Sequence, residues 1–263
     1  RTAYGRARIA AVVPEGPTDL EPNKALLLEN AFERLGGVDF RKGCFVGQEV
    51  TARMKYRNLG KKRLMAIRCD GGDGALEAGE AIMAGEIDNA YALVRPPGHH
   101  AIAGEGMGFC IFGNAAIAGF HALESLGVKR IAFVDWDVHH GNGTQSAFYD
   151  DPRALTLSVH QDNCFPPDSG HIHEVGEGAG QGYNINVPLP PGSGVGAYEA
   201  VFDQIIIPAL DAFAPELIIV PSGFDAGAYD PLGRMQMHSD GYRSLTEKLL
   251  SAAARNCQGK ILM

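Results

Sequence analysis

The segment Ile131 to Gly143 (IAFVDWDVHHGNG) constrains this chain more than any other. Its apolar opening has strand length and passes without a break into Asp135, Asp137 and His139, spaced two apart. Extended backbone sends alternate side chains to one side, so a strand kept extended to its end brings these three together. Two carboxylates beside an imidazole repel one another unless a cation lies among them, and a metal ion resolves this. Gly141 and Gly143 then permit a tight turn into a helix. The plainer alternative is a capping Asp beside surface histidines.

Two further segments share the layout of a strand, a turn and then polar residues. Residues 216–220, apolar from Leu217, read as a strand and lead through Pro221, Ser222 and Gly223 to Asp225, which alone would read as a cap or turn residue. In Arg95-Pro96-Pro97-Gly98-His99-His100 two prolines stiffen the loop, Gly98 permits close approach, and adjacent imidazoles are costly unless one is neutral or paired. Around these, residues 91–94 read as a buried strand and 114–126 as a helix with Ile117, Phe120, His121 and Leu123 on related faces. Residues 130–134 and 155–159 read as strands, and 195–213 as a helix interrupted at Pro208. Residues 239–255 read as a helix capped by Ser239, and a last strand begins at Lys260. Strands alternating with helices predict an α/β fold with a mostly parallel sheet, and ligands then bind beyond the carboxyl ends of the strands.

Composition divides the chain. Of 263 residues with a net charge of −8, residues 1–74 hold 14 Lys+Arg against 9 Asp+Glu, whereas 75–263 hold 9 against 22 and all nine histidines. Gly71-Gly72-Asp73-Gly74 coincides with the break and reads as a linker. The expected organisation is a segment at 1–74 joined to an acidic, His-bearing chemical unit at 75–263. An acidic body repels nucleic acid, and the basic run 53–63 reads as a solvated face. No apolar run approaches the roughly 18 residues of a membrane span, and 9–13 is too short for a secretory core. Cys44, Cys69, Cys110, Cys164 and Cys257 are scattered without a C-x-x-C, against a disulfide framework or a thiolate metal site. The expectation is a soluble, cytoplasmic protein whose partners include neither nucleic acid nor membrane.

RPPGHHA at 95–101, GFC at 108–110, DWDVHHGNGTQ at 135–145, LSVH at 157–160, CFPPDSG at 164–170, SGFDA at 222–226 and DPLGRM at 230–235 together resemble the histone deacetylases and bacterial acetylpolyamine amidohydrolases. The resemblance covers roughly 76–263, and DWDVHHGNGTQ is of the class II type. It implies an arginase/deacetylase-like fold, a mostly parallel sheet flanked by helices. By position it implies Asp137, His139 and Asp225 as zinc ligands, a set that leaves an open position for water and a substrate carbonyl. It implies His100 as the general base that later serves the leaving amine, with His99 as its electrostatic companion, oriented by Asp135. Asn142 stands where many relatives pair an acid with His100, so a lower pKa is expected for His100. Phe109 and Phe165 match the walls of a narrow acyl-chain channel, Leu232 its rim, and Gly108 a backbone acceptor for the substrate amide. Asp135, Asp137, His139, Ser158 and Val159 match a potassium site. Phe148, Asp151, Ala154 and Tyr183 match a second one, made largely of carbonyls.

Two departures accompany these matches. Relatives carry a glycine-rich turn ending in a Tyr, a donor to the reacting oxyanion, after the strand that begins here at Lys260, and no residue here matches it. Upstream of about Gly79 the family's N-terminal portion is unmatched as well. Residues 1–74 instead resemble folate-binding relatives of the glycine-cleavage T protein linked to iron–sulfur cluster upkeep, on GGVDFRKGCFVGQE at 36–49, Ala52-Arg53-Met54 and Lys62-Arg63. This reads as a joined fragment in which Cys44 is a structural leftover rather than a reactive thiol. The expectation is a zinc-dependent hydrolase of small acylated amines or, more readily, esters. Its rivals are a catalytically impaired metal-binding remnant and a folate-binding maintenance fragment. A parallel core truncated at both ends would expose a sheet edge and apolar surface, so a homo-oligomer is expected.

Overall fold

The computed structural model describes residues 71–263, with side chains from Ala75 onward, within a compact unit that runs from Cys69 to Met263. The motifs at 36–63 that carry the second resemblance, with Cys44 and the basic run 53–63, lie outside the described residues. The elements are α1 (Gly71–Ala84), β1 (Asn89–Ala90), α2 (Asn114–Ser125), β2 (Ile131–Asp135), α3 (Asn142–Phe148) and β3 (Ala154–Gln161). There follow a 3-10 turn (Gly178–Gly180), β4 (Asn184–Leu189), α4 (Val195–Val201), a π turn (Phe202–Ile206), α5 (Ile207–Phe213), β5 (Leu217–Ile219), α6 (Ser239–Cys257) and β6 (Ile261–Leu262). The six strands form one parallel sheet in the order β1-β6-β5-β2-β3-β4. The α/β, mostly parallel expectation holds.

Strand periodicity divides the core between the two faces. Ile131 and Phe133 pack with Ile82, Ala116, Ala118, Leu123 and Phe148 from α1, α2 and α3. Ala132 and Val134 pack with Tyr198, Phe202, Leu210, Leu245 and Leu249 from α4 to α6. With both faces covered, β2 and β3 are buried along their whole lengths, as a parallel sheet requires. Asp135 continues the Ile131–Phe133 series and so points to the α2 side. The chain builds β2, β3 and β4 outward in one direction, then returns to place β5 on the other side of β2. The crevice beyond β2 and β5 is therefore the topological switch point of the sheet, where such folds bind ligands.

Several local expectations are corrected. The strand expected at 91–94 is Asn89–Ala90. Pairing toward the last strand ends where the Ala92 N–H meets the Met263 carbonyl at 2.6 Å, which leaves Tyr91 51% and Leu93 89% exposed. The tetrapeptide read as a linker, 71–74, forms the first turn of α1. On α2 the buried stripe is Ala116, Ala118, Gly119, Ala122 and Leu123, while Ile117 and Phe120 are exposed. Small residues let this helix lie close to the sheet, so the larger side chains face away. Pro208 does not break its helix: lacking an N–H, it is absorbed by the wider π turn immediately upstream. Ser239 is the first helical residue of α6, and His238 holds the N-cap place without a side-chain bond. Strand β4 was not foreseen; it lies at the sheet edge, where its Pro188 is tolerated.

Candidate metal centre

Beyond β2 the chain bends, so the extended run expected through His139 stops at Asp135. That bend separates the three acidic and imidazole groups into two sets. Asp137 and His139 turn toward the end of β5, where His139 Nδ1 lies 2.9 Å from Asp137 Oδ1 and 2.9 Å from Asp225 Oδ2. One ligand atom from each of these three residues falls within 4.8 Å of the others, the only such group among the described residues. Asp225 also accepts the Val138 N–H at 2.9 Å, and Asp137 accepts the His139 N–H at 2.8 Å, so backbone donors orient both carboxylates. Asp135, by contrast, is buried and binds His99 Nδ1 at 2.7 Å. The other ring nitrogen of His99 faces Asp137 Oδ2 at 3.6 Å.

Electrostatics follow from these distances. Burial disfavours a charged His99, but Asp135 and Asp137 outweigh it and raise the pKa to about 10. Burial likewise opposes charge on His139, and its bonds to Asp137 and Asp225 again win, raising it to about 10. Asp137 is lowered to about 2: burial acts against ionisation, but the His99 charge and the His139 bonds prevail. A site that holds a proton between two carboxylates is one where a divalent cation can displace it. One imidazole nitrogen and two carboxylate oxygens suit zinc with an open position, so the residues present fit that metal.

His100 stands beside this group with the opposite tendency. Its ring centroid is 3.9 Å from that of His99 and 5.9 Å from that of His139. Burial and the charge on His99 lower its pKa to about 4 despite the bond to Asn142. The Asn142 amide nitrogen donates to the His100 carbonyl at 3.1 Å, which turns its oxygen toward His100 Nδ1 at 2.7 Å. His100 Nδ1 must then carry the proton, leaving Nε2 with a free lone pair. Phe165 packs edge-on to His100, with centroids 5.0 Å apart. Gly108 touches the other side: a Cβ there would stand 2.1 Å from His100 Cδ2, at a φ of +53°. Phe109 follows in the same left-handed region and is 80% exposed, and Leu232 is half-exposed, so these two do not close over the site.

The remaining sequence-derived positions are dispersed around the centre. Ser158 lies opposite Asp135 in the β2–β3 register and accepts the Gly141 N–H at 3.4 Å, while Val159 is buried. The carbonyls of Phe148, Asp151 and Tyr183 accept the N–H groups of Asp151, Ala154 and Thr156. Sequence reasoning passed over two neighbours. Cys110 receives the His100 N–H on its sulfur at 3.4 Å, and Gly223 packs directly against Asp137. Both lay inside quoted motifs, but only the folded loops show what they touch.

Comparison with known proteins agrees with this geometry. The model of the histone deacetylase domain matches residues 49–263. The chain is 50% identical over 189 residues to a histone deacetylase-like amidohydrolase of Pseudomonas aeruginosa, covering 72% of this chain and 50% of that protein. It thus spans half the length of that relative. Among solved structures it superposes on the HDA15 HD domain with a TM-score of 0.68 at 38% identity, covering 73% of this chain and 55% of the other. An acetylpolyamine aminohydrolase from Burkholderia pseudomallei gives a TM-score of 0.66 at 36% identity, covering 73% and 54%. With its ligand-ready carboxylates at the switch point of a parallel sheet, this chain belongs to the histone deacetylase domain family.

Proposed function

We propose that the chain is a zinc-dependent hydrolase that removes acyl groups from small acylated amines or esters. The observation that carries this reading is the meeting of Asp137, His139 and Asp225 beside an imidazole, His100, kept neutral with its Nε2 free. Bound zinc would polarise the acyl carbonyl and make the attacking water acidic. His100 Nε2 accepts the water's proton and delivers it to the leaving amine. His99, charged against Asp135, supports the negative charge that develops nearby. Phe165 shields His100 from water, and with Phe109, Leu232 and the Gly108 carbonyl it receives the acyl chain and its amide.

The domain reading belongs to the same proposal, with 75–263 as catalytic core and 1–74 as an appended fragment resembling the T-protein relatives. Potassium binding is proposed at Asp135, Asp137, His139, Ser158 and Val159. A second potassium is proposed at Phe148, Asp151, Ala154 and Tyr183, where the Phe148 and Asp151 carbonyls each accept one N–H and the Tyr183 carbonyl accepts the Thr156 N–H and hydroxyl. A homo-oligomer is proposed because Tyr91 and Leu93 are exposed beside the edge strand β1. No described helix is long and apolar enough to cross a membrane, and the proposed setting is cytoplasmic.

Esters should react faster than amides. A nitrophenolate leaves unaided, whereas an amine must take a proton from His100 while the tetrahedral oxyanion survives. Tyr229, beyond β5, is fully exposed. The test is turnover of a nitrophenyl ester and an acetyl-lysine amide with and without zinc. Zinc-dependent cleavage with the ester ahead is expected. No zinc-dependent turnover of either would instead favour a metal-binding remnant, and equal rates would refute the ester preference.

The neutral His100 gives a separate prediction. Asn142→Asp places a carboxylate against Nδ1, which favours the imidazolium and raises the His100 pKa by roughly one to three units. A protonated base cannot accept the water's proton, so the acidic limb of kcat/KM should move to higher pH. An unchanged pH–rate profile would remove Asn142 from this role.

A further inference from the structure

Residues 162–183 connect β3 to β4 with little regular structure, yet they carry Phe165, the ring that packs on His100. This loop is held from beneath by a partly buried polar chain that the proposed chemistry does not use. Glu174 accepts the Gly170 N–H at 3.2 Å, the His171 N–H at 3.0 Å and the Gln145 side-chain amide at 2.6 Å. The Gln145 oxygen accepts from Asn184 and Asn186, each at 2.8 Å, and lies 3.0 Å from His140 Nε2. His140 Nε2 must donate in that contact, so its Nδ1 accepts the Ser169 hydroxyl. The His140 N–H then donates to the Phe165 carbonyl at 3.1 Å. The chain starts at a carboxylate, crosses α3 and ends on the backbone of the residue that walls the site.

We propose that Glu174 is a positioning residue that, through Gln145 and His140, holds the 162–173 loop and hence Phe165 in place for an acyl chain. Its carboxylate is suited to this because it accepts three donors at once, and charged acceptors make the stronger hydrogen bonds. An amide at 174 keeps only one acceptor, so its N–H₂ must face either the His171 N–H or the Gln145 amide and Gly170 N–H, donors opposed in both cases. Exchanging the two residues restores the donor–acceptor pair between 145 and 174, since the carboxylate introduced by Gln145→Glu could still accept from Asn184, Asn186 and His140, and it leaves only the Gly170 N–H, the longest of the three bonds, without its acceptor.

The experiment compares Glu174→Gln with the double variant Gln145→Glu/Glu174→Gln. Amide hydrogen exchange on the metal-free protein should show faster exchange across 162–173 in the single variant, by about tenfold, with β2 unchanged and protection recovered in the double variant. The kinetic arm rests on the proposed hydrolase reading: KM for acyl substrates should rise about tenfold in the single variant, with kcat and zinc content nearly unchanged, and return in the double variant. Unchanged exchange in Glu174→Gln, or no recovery in the exchanged pair, would overturn the assignment. So would a joint loss of kcat and zinc in the single variant. If the parent chain hydrolyses nothing, the hydrolase reading fails, while the exchange measurement still decides the role of Glu174.

Discussion

Asp137→Ala, His139→Ala and Asp225→Ala are each expected to lose bound zinc and hydrolytic activity together. Each removal leaves two donors around an open cation, and the proton that His139 holds between Asp137 and Asp225 shows how closely the three are matched. Losing one of three ligands should weaken zinc binding by at least about 1000-fold, or roughly 4 kcal/mol. Metal analysis after dialysis, paired with ester turnover, checks this. Full zinc in any of the three variants would overturn the ligand assignment. The effect should exceed that of Asn142→Asp, which changes when His100 is protonated but leaves the ligands in place.

Gly223→Ala is expected to damage the same centre from a position that carries no donor at all. A Cβ at 223 would lie 2.0 Å from Asp137 Oδ2 and 2.6 Å from its Cγ. Asp137 cannot retreat, because its other oxygen is fixed by the N–H of His139 at 2.8 Å and by the ring at 2.9 Å. The 221–225 loop must then move outward and carry Asp225 away from His139. Zinc affinity should fall by at least about 100-fold, with the sheet still folded. Gly196→Ala is the control, since a Cβ there meets nothing within 4 Å. Equal zinc affinity in the two variants would show that the close packing of Gly223 is not needed to hold Asp225.

Much of the centre was legible in the chain because strand ends announce themselves. Apolar runs that lead into Asp or His mark where a parallel sheet presents its carboxyl ends, and Asp137, His139 and Asp225 follow such runs, whereas the run before His99-His100 lies past the end of β1. The α/β class follows from the same alternation. What the linear pattern misassigned was the partnership: it grouped Asp135 with Asp137 and His139, whereas the bend after β2 sends Asp135 to His99 and admits Asp225 in its place. Periodicity describes one strand at a time and carries no information about which neighbouring strand comes to lie beside it.

The sequence by itself determined which residues stand at the strand ends, that two faces of a parallel sheet would be covered, and that an Asp/His/Asp set was available for a metal. Tertiary structure alone decided that β5 returns beside β2, so that donors almost ninety residues apart meet in one crevice. It also decided that Asn142 selects the tautomer of His100, that Gly223 is pressed against Asp137, and that Glu174 reaches Phe165 through Gln145 and His140. The reason is physical: local propensity and spacing act within a few residues, whereas ligand geometry, protonation and close packing depend on groups that become neighbours only when the sheet is assembled.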